Sequence, residues 1–142
     1  MTVNRASARY EGFGKDGKGS ITTKSGVLDK QPYGFGTRFE GQPGTNPEEL
    51  IAAAHAACFT MALSFGLARA GYSGDTLETS AAVTLDQVEG GFQISKSALT
   101  LTGKVPGISA DEFAKIAEEA EKNCPVSKLL NCEITLEHSL ES

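Results

Sequence analysis

Residues 44–71 read GTNPEELIAAAHAACFTMALSFGLARAG, and this stretch decides the fold. Asn46 suits an N-cap, Pro47 suits the first helical position, and Glu48 and Glu49 meet the positive end of the helix dipole. Thr45 and Glu48 also have the spacing of a capping box. Arg69 and then Gly71 supply a stop. Between these signals apolar residues run all round the helix rather than along one stripe, which predicts a long central helix buried on most sides. Its middle, residues 51–68, is long enough to cross a bilayer. Seven alanines, His55 near the start, and the acidic Glu48 and Glu49 before it favour a core helix of a soluble protein instead. A helix buried all round needs more cover than one small sheet can give, so a dimer is expected.

Upstream of the helix, residues 4–11 and 18–24 are polar-rich, partly alternating and carry Thr, Val, Ile and Tyr; the turn GFGKDGKG between them makes a hairpin with one solvated face. The loop SGVLDKQPYG follows, and then a short strand is expected over residues 35–39, carrying Arg38. Downstream, residues 76–86 and 92–104 alternate well, with Glu89, Gly90 and Gly91 as the hairpin turn. Ser109 caps a second helix over residues 110–122, with Phe113, Ile116, Ala117 and Ala120 on its apolar face. Cys124-Pro125 breaks it, a short helix runs over 125–130, and residues 133–140 form a last strand. The order predicts an α+β fold with antiparallel pairing where connections are tight, in one domain over residues 1–142.

The chain has 142 residues, a net charge of −5, 39 % hydrophobic residues and 16 glycines, enough for one core with many turns. Lys and Arg are scattered, which argues against a nucleic-acid footprint and an anionic membrane surface. The start, MTVNRASARYEG, has no apolar signal core, so a cytoplasmic location is expected. Three cysteines with no CxxC spacing do not make a disulfide framework. Cys58, Cys124, Cys132, His55 and His138 lack the close pairs of a zinc site, so no metal is expected.

The residue types that carry chemistry each admit two readings. Cys58, in AHAACFTMAL, is either a small buried hydrophobe or a reactive thiol. Cys124 precedes Pro125 at the start of the short helix, where backbone NH groups favour a thiolate; otherwise it is a plain cap. Arg38 is either a solvated face residue or a clamp for a carboxylate. His55 lies three residues before Cys58 on the same helix face and is a secondary candidate for a Cys–His pair. Cys132 has no assigned role.

TNPEELIAAAHAACF, the downstream NCPVSKLL and the preceding TRFEGQPG closely resemble the OsmC branch of the OsmC/Ohr family, the osmotically inducible and organic-hydroperoxide-resistance proteins. The likeness runs from Val3 to the C-terminus and includes the QPYGF loop and the EITLE strand. It implies an OsmC-like fold, an intertwined homodimer and a thiol-dependent peroxidase active on organic hydroperoxides in oxidative or osmotic stress. It matches Cys58 to the peroxidatic cysteine, Cys124 to the resolving one, Arg38 to the activating arginine and Glu48 to the carboxylate orienting it, with Glu49 as a neighbouring candidate. It implies no metal or flavin, and an external dithiol, a lipoyl-bearing protein, as reductant. Two rivals remain: a non-catalytic stress or ligand-binding protein on this fold, and another thiol enzyme using Cys58 with His55.

Helix geometry poses a problem. Glu48 and Cys58 lie ten residues apart, about 15 Å along a straight helix. Either the helix breaks between Ala52 and Ala57, or Glu48 comes from the partner chain. No Gly or Pro forces a break, which favours a site shared by two subunits. Phe59, Met61, Leu63 and Phe65, with Phe35 and Phe39, are expected to make that site apolar and to favour alkyl and aryl hydroperoxides over hydrogen peroxide.

Overall fold

The structure, a computed structural model, describes residues 1–141. Contacts divide the chain into two compact units, Met1–Leu50 and Ile51 onward, and the boundary falls inside a helix rather than in a linker.

The first unit holds β1 (Ala6–Glu11), β2 (Lys18–Thr23) and β3 (Gln31–Tyr33) in an antiparallel sheet of order β1-β2-β3. β3 lies in the segment expected to be loop; it is three residues long and at the sheet edge, where Pro32 costs no central ladder bond. The strand expected at residues 35–39 is instead a short helix, α1 (Phe35–Phe39). Thr37 makes the turn: its hydroxyl accepts from the Gly34 amide at 2.9 Å, and the Arg38 amide donates to the Gly34 carbonyl at 3.1 Å. The Phe35 and Phe39 rings then sit one turn apart, with centroids 5.0 Å from each other. Within residues 1–50 only Glu48 is buried.

The long helix α2 (Pro47–Arg69) is unbroken. Asn46 caps it by accepting from the Glu49 amide at 2.8 Å. The Thr45–Glu48 capping box does not form, because Thr45 donates to the Glu49 carboxylate at 2.7 Å and Glu48 turns elsewhere. The C-terminus closes in a Schellman motif, Tyr72 N to Leu67 O and Gly71 N to Ala68 O, with Gly71 at φ 91° as that motif requires. Burial follows one stripe, His55, Phe59, Leu63 and Leu67 at four-residue spacing, rather than the whole circumference. On the other side Met61 and Phe65 are 64 % and 60 % exposed in the single chain.

In the second unit β4 (Thr76–Val88) and β5 (Gly91–Lys104) form an antiparallel hairpin with an irregularity at Thr84/Leu85. α3 (Ala110–Asn123) starts at Ser109, whose hydroxyl accepts from the Glu112 amide at 3.1 Å. α4 (Pro125–Leu129) follows at once and leads to β6 (Glu133–Leu140). β6 pairs with β5 in parallel, a departure from wholly antiparallel sheets, because the α3–α4 crossover returns the chain to the starting end of β5. The core joins Phe59, Leu63 and Leu67 of α2, Leu99 and Leu101 of β5, and Phe113, Ala117 and Ala120 of α3. Among the described residues α2 is the one helix long and apolar enough to span a membrane, and its buried stripe belongs to this core.

Gly103 of β5 faces Phe113, and a Cβ there would lie 2.7 Å from the ring and 3.2 Å from Leu77. A packed ring has little room to yield. Gly103→Ala is therefore expected to destabilise by about 1–3 kcal/mol, read as a lower urea midpoint at matched protein concentration; an unchanged midpoint would show that the layer is loosely packed.

Candidate active site

The structure brings the proposed site residues together in two pairs. In the first unit Arg38, in the last turn of α1, donates to the Glu48 carboxylate through Nε at 3.1 Å to both oxygens and through Nη2 at 2.5 Å to Oε1. Glu48 is 8 % exposed, so this charge-assisted fork is partly removed from water and fixes the guanidinium plane. The Arg38 guanidinium also lies 5.5 Å from the Phe39 ring centroid. Glu49 points to solvent and closes the helix start with Thr45, so it does not hold Arg38.

In the second unit Cys58, midway along α2, meets Cys124, which ends α3 and starts α4 and is fully buried. Both thiols are free. Burial pushes the Cys58 thiol up from its ordinary range, and hydrogen bonding to Cys124 adds to this; the Val126 amide opposes it by donating to the sulfur. The NH groups at the start of the short helix were expected to favour a thiolate at Cys124. Cys124 makes no side-chain cap hydrogen bond there, and Val126, second in α4, directs its amide at Cys58. Cys132 stands just before β6, partly exposed. Among the described residues no three His, Cys, Asp or Glu side chains cluster as a metal site would need.

His55 does not pair with Cys58. It is 0 % exposed, and its ring nitrogens are both engaged: Nδ1 with the Ser97 hydroxyl at 2.7 Å and Nε2 with the Ser127 hydroxyl at 2.8 Å. No lone pair is left to take a thiol proton. Sequence reasoning missed Ser97 and Ser127. Ser97 had a signal, since it alternates with Leu99 and Leu101 on the buried face of β5, and a buried hydroxyl needs a partner. Ser127 had none beyond its place three residues after Cys124.

The sequence model of the family described as OsmC-like protein matches residues 39–139. The chain is 54 % identical over its whole length, and the whole length of the relative, to Peroxiredoxin OsmC of Escherichia coli strain K12. It is 34 % identical to Organic hydroperoxide resistance protein OhrB of Bacillus subtilis, over 84 % of this chain and 88 % of that one. The crystal structure of that OhrB superposes with a TM-score of 0.71, at 29 % identity, covering 99 % of this chain and 98 % of the other.

Burial lowers the His55 pKa, so the folded protein holds the ring neutral while the unfolded chain takes up a proton below about pH 6.5. Stability from this group is therefore present above that pH and lost as pH falls, with a slope of at most about 1.4 kcal/mol per pH unit. Urea unfolding at pH 7.5, 6.5 and 5.5 should show a steeper loss for the parent than for His55→Gln. Equal slopes would mean that burial does not keep the ring neutral.

Proposed function

The chain belongs to the OsmC-like protein family, and on that premise we propose that it is a cysteine-based peroxidase reducing organic hydroperoxides to alcohols. The observation that carries this reading is the contact of the Cys58 and Cys124 thiols beside the Val126 amide, in a chain similar over its whole length to a peroxiredoxin. In the first step the Cys58 thiolate attacks the terminal hydroperoxide oxygen. The O–O bond breaks, Cys58 becomes a sulfenic acid, and the alkoxide takes a proton to leave as the alcohol. In the second step the Cys124 sulfur attacks the sulfenic sulfur, the S–S bond forms, and the oxygen departs as water. An external dithiol, for which a lipoyl-bearing protein is our candidate, then reduces the disulfide. Such a cycle of reduced thiols suits the cytoplasm, where we place the protein.

A thiolate at Cys58 needs a cation, since its own burial raises the thiol. Arg38, oriented by Glu48, supplies it in our reading and also stabilises charge as the O–O bond breaks. Because α2 runs unbroken from Pro47 to Arg69, the alternative of a helix break between Ala52 and Ala57 falls away. We assign the guanidinium at each Cys58 to the partner subunit of a homodimer. Two features support a second copy: the exposed apolar side of α2, with Met61 and Phe65, and a first unit with no buried apolar residue of its own. The same apolar surroundings favour alkyl and aryl hydroperoxides.

The rival thiol enzyme built on Cys58 and His55 loses its base, because both ring nitrogens are occupied. Three cysteine variants test the peroxidase. With an organic hydroperoxide and a dithiol, Cys58→Ser should abolish turnover. Cys124→Ser should consume a first equivalent and then stall in over-oxidised forms. Cys132→Ser should match the parent. Equal loss in the Cys58 and Cys132 variants would contradict the assignment.

A further inference from the structure

The largest fully buried polar side chain that the proposed reaction does not use is His55. Its two hydrogen bonds join three elements: the helix that carries Cys58, the central strand β5 through Ser97, and α4 through Ser127. Ser97 is 0 % exposed and Ser127 is buried, so these bonds form away from water, where leaving either partner unpaired is unfavourable. A well-packed apolar side chain would fill the same space without that liability. What a histidine adds is direction, because two hydroxyls are held on opposite edges of one rigid ring.

α4 is the element that depends on this. It has five residues, too few to be stable alone. Pro125 and Lys128 face solvent, and Leu129 is 79 % exposed. Its attachment rests on Cys124, on partly buried Val126, and on the Ser127 hydroxyl. Cys124 opens α4, and the Val126 amide of α4 meets the Cys58 sulfur. Ser127 therefore anchors both groups to α2 one turn before Cys58.

We propose that His55 is a positioning residue for the resolving step, clamping α4 through Ser127 so that Cys124 stays within bonding reach of Cys58 once Cys58 is oxidised. This rests on the peroxidase reading, with Cys58 peroxidatic and Cys124 resolving. The Cys58 sulfenic acid has two fates. Attack by Cys124 forms the S–S bond, breaks S–O and releases water. A second hydroperoxide instead transfers one oxygen to the sulfenate, giving the sulfinic acid and another alcohol. A loosened α4 slows the first route, which needs Cys124 in place, more than the second, which does not, so the partition reports the clamp.

His55→Ala would orphan two buried hydroxyls and open a cavity, so Ser127→Ala is the better probe, with Ser127→Thr as the variant that keeps the hydroxyl. Each is treated with excess tert-butyl hydroperoxide without dithiol. Loss of the Cys58 thiol is followed by quenched alkylation, and the final products by intact mass and peptide mapping. Ser127→Ala should raise the ratio of sulfinic acid to Cys58–Cys124 disulfide roughly three- to tenfold, with thiol loss within about twofold of the parent. Ser127→Thr should return the ratio towards the parent's. An unchanged ratio, or equal slowing of thiol loss and disulfide closure, would overturn the clamp while leaving the peroxidase reading intact. A parent protein that forms no Cys58–Cys124 disulfide would overturn that reading and the clamp with it.

Discussion

A helix rise of about 1.5 Å per residue is the constraint on which the rest depends. Glu48 and Cys58 sit ten residues apart on one unbroken helix, and Glu48 binds the Arg38 guanidinium by a fork of hydrogen bonds. The backbone positions of Glu48 and Cys58 are therefore about three turns apart along one helix. The proposed chemistry follows from accepting this separation. In the proposed reading the chain orients a cation in one unit, presents a pair of thiols in the other, and two copies complete each site.

The electrostatics of the thiol pair point the same way. Within one chain Cys58 is partly buried and faces another thiol, and both features favour its neutral form; the Val126 amide is the opposing donor. A pair left in that balance resists premature oxidation because little thiolate is present. Addition of a fixed guanidinium changes the balance at the place where charge also develops in the reaction. Arg38 arrives already oriented by a carboxylate that is nearly buried, so little ordering remains to be done when the site assembles. In the proposed dimer, assembly would also cover the apolar side of α2 and so tie activity to the hydrophobic effect.

Much of this was legible in the sequence where local chemistry is unambiguous. Asn46-Pro47, Ser109 and Cys124-Pro125 mark helix starts because capping and proline geometry act within a few residues, and all three helices begin there. Residues 133–140 form the last strand as read. Phe35–Phe39 misled because aromatic residues four apart fit a strand face and a helix face equally, and only the Thr37 hydroxyl bonds decide between them. The parallel pairing of β6 depends on where the α3–α4 crossover returns the chain, which no local pattern encodes. In the site, the Arg38–Glu48 contact and the Cys58–Cys124 contact could be expected from family motifs. The occupation of His55 by two serines forty-two and seventy-two residues away could not, since it is a purely tertiary fact.

The most direct test of the shared site is subunit complementation. Arg38→Gln chains and Cys58→Ser chains, each carrying a different affinity tag, are unfolded together, refolded, and the doubly tagged dimer is isolated. In a shared site one half of this dimer holds neither group and the other holds an intact Arg38 and an intact Cys58. The account predicts about half the hydroperoxide reductase activity of a parent dimer, one working site in two, although each variant alone is inactive or severely impaired. A mixed dimer with no more activity than the average of the two variant homodimers would contradict it, and would place Arg38 and Cys58 of a single chain in the same site.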